Sequence, residues 1–299
     1  MVSKPQILDD KFNFFTRGLL PERHYRFVLA RNSAVTADIS ELHNASTQVS
    51  LLMGEAMMGC FFLTSHAAKQ QKITVSLHLE CNGPLRRLIA TANNDGGIRA
   101  MSSNPGAEWE GPLHAGKGKG LLTVNRWKDD VTKVYSSTVE MRETSLDKNI
   151  EEYTGKSEQI QTFIKMESSF NKDNTLNISG YQFQALPDAS FADTDAVVDM
   201  LAETSPSKML DQFLQVDLNI RNTFEMKNIF HNIKILNNGK FFHHCGCSRN
   251  RVESMLLALG KESAEETLQS EGKIEIQCEF CKKFYYFYEE EISSIFKRN

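Results

Sequence analysis

Four cysteines lie within 37 residues of this 299-residue chain and constrain its folding more than any other feature. They form a CxC pair, Cys245 and Cys247, and a CxxC pair, Cys278 and Cys281, with 30 residues between the pairs. Each pair can present two sulfur atoms to one ion from a tight turn, and four thiolates satisfy the tetrahedral preference of Zn²⁺. The spacing therefore predicts that Cys245, Cys247, Cys278 and Cys281 bind one Zn²⁺ per chain.

The segment between the two pairs is predicted to fold into two short helices that bring the cysteines together. Ser248 is suited to capping the first helix, whose apolar residues share one face, and Gly260 is suited to ending it. Ser263 and Glu266 form a capping-box pattern for the second helix, which we expect to end near Gly272. The strand KIEIQ leads into the second cysteine pair, and the aromatic strand KFYYFY leads away from it.

Residues 1–189 are predicted to form an α+β core domain of mixed sheet and helix. At residues 72–80 the segment KITVSLHLE alternates apolar and polar residues, as in a strand with one buried face. Residues 42–62 repeat apolar residues at helical spacing, and Ser40 is placed to cap that helix. With 40% hydrophobic and 24% charged residues, the chain has the composition of an ordinary globular protein that can bury such a core.

The remaining residues divide into a linker and a small C-terminal domain. Residues 190–240 show helical periods broken at Pro206, and these short helices need a surface to cover because isolated ones are marginal in water. Residues 241–299 are too few to bury a large core, so their domain needs the metal as a staple. We therefore expect a helical linker followed by a zinc-binding domain.

Charge and hydropathy exclude several classes of function. The formal net charge is −4, and residues 241–299 hold fewer basic than acidic groups, so we expect no nucleic-acid partner. The most apolar window, residues 49–63, carries Glu55 and is too short to span a bilayer, so we expect a buried helix and no membrane partner.

Neither an HExxH nor a GxSxG arrangement occurs, and we expect no enzymatic activity. Asp9 and Asp10 stand where a signal peptide needs its apolar core, which predicts a cytoplasmic protein.

Clustered cysteines also permit redox chemistry. Thiols stay reduced in the cytosol, so this cluster indicates metal binding or a redox function rather than structural disulfides. Zinc-bound thiolates remain oxidisable, and CxC and CxxC segments can both close local disulfides, so an oxidant can convert the site and expel the metal. A permanent zinc staple without a switch is the simpler alternative, and spacing alone does not exclude it.

Four passages of the sequence are similar to one known family. In chain order they are ITVSLHLECNGPLRRLIATANNDGGIRAM, EEYTGKSEQIQTFI, CGCSRNRVESMLLALG and GKIEIQCEFCKKFYYFYEEEI. Together they resemble the redox-regulated 33 kDa heat-shock chaperone family (33 kDa chaperonin) over essentially the whole chain. The resemblance implies an ATP-independent holding chaperone, which is inactive while its cysteines bind zinc and becomes active when oxidants form disulfides and release the ion.

The resemblance also implies roles for particular residues. In the family's pattern, oxidation pairs Cys245 with Cys247 and Cys278 with Cys281. The linker then unfolds, its apolar surface binds unfolding or oxidatively damaged client proteins, and the active form associates into homodimers. The apolar linker residues that are candidates for client binding are Phe213, Leu214, Phe224, Met226, Ile229 and Phe230.

Some cysteines and histidines lie outside the motif of this family. They are Cys60, Cys81, His243 and His244, and a complete set of four cysteine ligands leaves the two histidines without a coordination role. The alternative to the chaperone interpretation is a constitutively zinc-stabilised module that binds protein or nucleic acid and has no redox switch.

Overall fold

The structure is a computed structural model that describes residues 13–65, 71–128, 133–142, 145–171, 175–214 and 233–298. The chain divides into two compact units, Met1–His243 and His244–Asn299, which we call the first and the second unit. Sheets and helices occur together in the first unit, which confirms the predicted α+β class. The described residues of the predicted linker belong to the first unit, while the borders predicted at residues 189 and 240 stay predictions.

Two sheets form the framework of the first unit. In spatial order, the strands of the first sheet are β10 (Lys234–Gly239), β1 (Asn13–Leu20), β2 (Tyr25–Asn32), β9 (Leu176–Ala185) and β8 (Thr162–Phe170). Those of the second sheet are β11 (Phe242–His243), β5 (Gly97–Ser102), β4 (Arg87–Asn93), β3 (Ile73–Cys81), β6 (Gly120–Lys128) and β7 (Tyr135–Met141). Neighbouring strands are antiparallel, apart from the parallel pair β11 and β5. The strand predicted at residues 72–80 is thus confirmed as β3.

One helix of the first unit is enclosed on every side. Helix α1 spans Ser33–Leu42 and helix α2 spans Thr47–Leu63, and all side chains at residues 49–63 are buried. Helix α2 contacts strands of both sheets and also helix α3, Leu146–Tyr153. The apolar window of the sequence is therefore a buried helix, as predicted.

The start of helix α2 differs from the prediction. The sequence predicts Ser40 as the N-cap, but Ser40 lies in the last turn of helix α1. Ser46 caps helix α2 instead: its backbone is extended, and its hydroxyl accepts a hydrogen bond from the Val49 N–H at 3.3 Å. The apolar spacing continues across two helices, so it did not reveal the break between them.

The two helices of the predicted linker pack on the first sheet. Helix α4 spans Phe191–Ala202 and helix α5 spans Pro206–Leu214, so the chain breaks before Pro206 as predicted. They cover the sheet face opposite to the one that packs on helix α2. The buried apolar residues on this face are Val197, Leu201, Met209 and Leu210 from the helices and Phe27, Leu29, Tyr181 and Phe183 from the sheet.

The last part of the predicted helical linker is a strand. Lys234–Gly239 pairs antiparallel with β1, so that Gly239 lies opposite Phe15. Six residues contain too few turns for a helical period to be distinguished from a strand. In the fold, the edge of β1 supplies the hydrogen-bond partners that extended backbone needs.

Polar contacts fix the position of helix α5 on the sheet. Arg31 is buried in β2, where its Nε donates to Ser179 Oγ at 3.0 Å and its Nη2 lies 3.1 Å from Asp211 Oδ1 of helix α5. At the start of the helix, the Ser207 N–H donates to Glu167 Oε2 at 3.2 Å. A carboxylate at a helix N-terminus complements the partial positive charge of the exposed N–H groups, so Glu167 stabilises the docked helix.

Helix α2 carries one buried acid, Glu55. Its Oε1 accepts a hydrogen bond from Ser168 Oγ at 2.6 Å, and its Oε2 lies 3.2 Å from His114 Nε2. Burial, with a smaller contribution from the charge of Asp147, raises the pKa of Glu55 to about 8, although the hydrogen bond from Ser168 and the charge of Lys117 oppose the rise. Burial also lowers the pKa of His114 below its ordinary value. The first unit therefore buries Glu55 most favourably in its protonated form.

We expect the variant Glu55→Gln to lack the part of the pH dependence of first-unit stability that comes from ionisation of Glu55. Because the pKa of Glu55 is raised in the folded state, its protonated form stabilises the fold at low pH, and this contribution is lost as pH rises through about 8. Between pH 6.5 and pH 8, a range that lies above the lowered pKa of His114, wild-type stability should fall relative to the variant by up to about 1.4 kcal/mol per pH unit.

Urea unfolding followed by tryptophan fluorescence measures this difference, because Trp109 and Trp127 both lie in the first unit. Glu140→Gln, at an exposed position of β7, is the matched control and should keep the wild-type slope. A Glu55→Gln variant with the same pH slope as the wild type would contradict the argument.

Candidate metal centre

The second unit supplies a small scaffold around the cysteines. Its elements are α6 (Arg249–Leu259), α7 (Lys261–Glu271), β12 (Ile274–Gln277), β13 (Phe284–Phe287) and α8 (Glu289–Arg298). Strands β12 and β13 form an antiparallel hairpin, with the second cysteine pair in the connection between them. The buried apolar residues are few: Val252, Leu256, Ala264, Ile274, Tyr285, Phe287 and Ile292.

The helix ends between the two cysteine pairs agree with the prediction in all but one respect. Ser248 Oγ accepts the Arg251 N–H at 3.3 Å and caps helix α6, which ends at Gly260 as predicted. Gly260 has φ +96°, a conformation that favours glycine, and helix α7 begins directly after it. The capping box predicted at Ser263 is therefore wrong, since Ser263 already lies inside the helix. The predicted end at Gly272 is confirmed.

All four clustered cysteines meet at one point. Their sulfur atoms lie within 4.8 Å of one another. Across the two pairs, the sulfurs of Cys245 and Cys278 lie 3.6 Å apart and those of Cys247 and Cys281 lie 3.3 Å apart. The structure thus brings together the four residues that the sequence selects, each of them half-buried.

The surroundings of the sulfurs favour a bound cation. Burial raises the pKa of Cys278, and it raises the pKa of Cys281 to about 12, so both are protonated as free thiols at neutral pH. Backbone groups of Phe280 and Cys281 hydrogen-bond to Cys278, and a backbone group of Lys283 hydrogen-bonds to Cys281. These contacts favour the thiolates. The four converging sulfurs are soft donors, and a bound cation would favour their ionised, thiolate form. This combination fits Zn²⁺.

One functional neighbour was missed in the sequence. The Tyr285 hydroxyl lies 3.1 Å from the sulfur of Cys247 and donates a hydrogen bond to it. This hydrogen bond, together with burial and the neighbouring cysteines, raises the pKa of Tyr285 to about 12. Strand alternation contains the signal, because Tyr285 and Phe287 point inward while Phe284, Tyr286 and Tyr288 are exposed.

The other cysteines and histidines lie outside the sulfur cluster. Cys60 is buried in helix α2, where burial raises the pKa of its thiol, and Cys81 ends β3 with a pKa raised by burial to about 11. His243 is part of β11 in the first unit, and the cluster found among the described residues contains neither it nor His244.

The candidates for client binding are only partly described. Phe213 is half-buried and packs against the apolar cluster between helix α5 and the first sheet, and Leu214 is half-buried at the end of that helix. Phe224, Met226, Ile229 and Phe230 lie outside the described residues. In the described part of the chain, no helix is both long and apolar enough to cross a membrane.

Arg249 connects three elements of the second unit. Its Nη2 donates to the Tyr286 carbonyl at 3.0 Å and to Glu291 Oε1 at 2.6 Å, and its guanidinium lies 4.2 Å from the centre of the Phe287 ring. These contacts tie the first residue of helix α6 to strand β13 and to helix α8.

Comparison with known proteins identifies the family. The family model described as Hsp33 protein matches residues 13–288. The chain belongs to the Hsp33 family. Among its relatives is the 33 kDa chaperonin of Pelobacter propionicus, 29% identical over 290 residues that cover 93% of this chain and 92% of the relative. The 33 kDa chaperonin of Bacillus subtilis is 25% identical, with 95% and 98% covered.

The fold agrees with that of a solved Hsp33 structure. The 33 kDa chaperonin of Thermotoga maritima superposes with a TM-score of 0.80 at 22% identity, covering 96% of this chain and 98% of the other. The family predicted from the sequence is therefore confirmed. The names of the Hsp33 relatives describe chaperones, in agreement with the prediction that the chain is not an enzyme.

In this Hsp33 chain, we expect Arg249→Ala to destabilise the second unit by about 1–2 kcal/mol, because two partly exposed hydrogen bonds from a charged donor and a cation–π contact are lost. Hydrogen exchange of peptides from residues 249–298 of the full chain should accelerate, while peptides of the first unit keep their rates. Lys261→Ala, which removes an exposed ion pair with Glu265, is the control and should change little. Equal exchange in both variants would refute the role given to Arg249.

Proposed function

We propose that this protein is a redox-regulated, ATP-independent holding chaperone whose switch is the sulfur cluster of the second unit. In the reduced state, Cys245, Cys247, Cys278 and Cys281 hold one Zn²⁺ and the chaperone is inactive. Oxidation releases the ion and allows unfolded or oxidatively damaged client proteins to bind. The observation that carries the proposal is the convergence of four sulfurs within 4.8 Å in a member of the Hsp33 family.

Zinc is proposed to stabilise the second unit as a whole. Its apolar core has few residues. Cys247 and Cys278 pack against this core, and the core residue Tyr285 hydrogen-bonds to Cys247. Structural zinc contributes about 10–16 kcal/mol of apparent binding free energy in small modules, whereas a typical domain is stable by only about 5–15 kcal/mol. Loss of the ion should therefore unfold the second unit.

The switching step balances as a two-electron oxidation of each cysteine pair. Peroxide accepts two electrons from the thiolates of Cys245 and Cys247, and with two protons it becomes two water molecules while a disulfide forms. A second peroxide oxidises Cys278 and Cys281 in the same way. Disulfide sulfurs are poor zinc ligands because they carry no charge, so the Zn²⁺ leaves. The pairing within each motif is part of the proposal.

Client binding is proposed to use the apolar surface under the linker helices. Helices α4 and α5 cover Phe27, Leu29, Tyr181 and Phe183 of the first sheet, and their own apolar residues face the same cluster. When the linker unfolds, both surfaces become available to unfolded proteins. Phe213 and Leu214 belong to the segment that unfolding exposes. The active form is proposed to be a homodimer and to act in the cytoplasm. Large exposed apolar surfaces are typical of sites that bind other proteins.

Suppression of thermal aggregation tests the proposal. The reduced wild-type chain should contain one zinc per chain and give no protection to an unrelated aggregating protein. Peroxide at mildly raised temperature should release the zinc and produce protection in the same sample. Cys247→Ser should lose zinc affinity, whereas Cys81→Ser, which changes a cysteine outside the cluster, should behave like the wild type.

Two results would contradict the chaperone switch. Zinc release without any protection would leave the cysteines as a fragile staple and favour the alternative, a zinc-stabilised interaction module. Disulfides mapped by mass spectrometry between the motifs, rather than within them, would contradict the proposed pairing. Retention on an RNA column that is lost with salt would favour a nucleic-acid module.

Loosening helix α5 should lower the threshold of activation. Asp211→Ala removes the carboxylate next to the buried Arg31, which should weaken docking of this helix by about 1–2 kcal/mol. Hydrogen exchange at residues 206–214 should accelerate, and protection should appear at a lower temperature or peroxide dose. Asp199→Ala, at an exposed position of helix α4, is the control. If both variants need the same dose as the wild type, docking of helix α5 does not limit activation.

A further inference from the structure

We propose that Tyr285 is a positioning residue of the sulfur centre, whose hydroxyl holds the Cys247 thiolate by a hydrogen bond and so slows both the loss of the metal and the oxidation of that sulfur. The inference rests on the proposed zinc site and adds a residue that controls how readily the site responds. Its basis is the 3.1 Å contact between the Tyr285 hydroxyl and the sulfur of Cys247.

The strand directs this tyrosine, and not its neighbours, toward the sulfurs. Tyr285 is 5% exposed, whereas Tyr286 is 39% exposed and Tyr288 is 56% exposed. Tyr285 lies opposite Ile276 in the hairpin and belongs to the buried apolar cluster of the second unit. Its ring is therefore fixed by packing, and the hydroxyl reaches Cys247 from a rigid strand.

The contact at Cys247 resembles the hydrogen bonds that two of the other sulfurs accept. Backbone groups hydrogen-bond to Cys278 and Cys281 from the turn that follows them. Such donors stabilise negative charge on metal-bound thiolates and orient the ligands. At Cys247 a side chain provides a donor of this kind, so a single substitution can remove it without disturbing the backbone.

Removing the hydrogen bond should affect a zinc-bound thiolate in two ways. The sulfur loses the contact that orients it toward the other three ligands, so the zinc affinity of the site falls. The sulfur also becomes more nucleophilic, because a donor no longer withdraws its electron density, and it attacks peroxide faster. Tyr285 thus sets both the zinc affinity and the rate of oxidation through one contact.

The test compares Tyr285→Phe with Tyr286→Phe in the full chain. Tyr285→Phe keeps the buried ring and deletes only the hydroxyl, and Tyr286→Phe makes the same change at an exposed position of the same strand. Chelator competition with Zn²⁺ should show about tenfold weaker binding for Tyr285→Phe. Peroxide-triggered zinc release should be faster in that variant, and Tyr286→Phe should match the wild type in both measurements.

A spectroscopic measurement separates this role from a merely structural one. In chains loaded with Co²⁺, the sulfur-to-cobalt charge-transfer band should shift to lower energy in Tyr285→Phe, because the sulfur electrons are held less tightly. Hydrogen exchange of the hairpin should be the same in both variants when the metal is bound.

Two outcomes would overturn the inference. If the wild type binds zinc and Tyr285→Phe has the same affinity, release rate and cobalt band, Tyr285 has no positioning role, although the proposed function stands. A wild-type chain that binds no zinc would overturn the proposed function and this inference with it.

Discussion

A helix buried on every side determines the architecture of the first unit. Fifteen consecutive residues of helix α2 are buried, so no single layer can cover it and strands from both sheets contact it. A helix that is apolar all round must lie inside a domain, because any uncovered side would expose apolar surface to water. The contact with helix α3 and the buried state of Glu55 are parts of this enclosure.

The two units obtain their stability by different means. The first unit buries large apolar clusters on both faces of its first sheet, whereas the described residues of the second unit include seven buried apolar residues in its core. A domain with a core of that size is only marginally stable unless a metal, a disulfide or another contact stabilises it. With the proposed zinc site, the stability of the second unit would depend on the bound metal, and the chain would combine a permanent fold with one that oxidation can remove.

Much of this organisation could be predicted from residues alone. Cysteine spacing selected the four sulfurs that converge, and Ser248, Gly260 and Gly272 marked helix ends because capping depends on local backbone geometry. Contacts between distant segments could not be predicted in this way. Strand β10 needs the edge of β1, Glu55 meets His114 and Ser168 only in the fold, and the Tyr285 hydroxyl reaches Cys247 across 38 positions.

The sulfur cluster joins cysteines that are 33 and 34 positions apart. A cross-link that closes a loop of that size lowers the entropy of the unfolded chain and so stabilises the fold by about 4 kcal/mol. Cross-links that close loops of only three or four residues contribute about 2 kcal/mol each. Disulfides within the motifs would therefore leave the spacer between the pairs without a cross-link. The number of covalent bonds in the second unit would increase on oxidation, and yet the freedom of the intervening helices would increase as well.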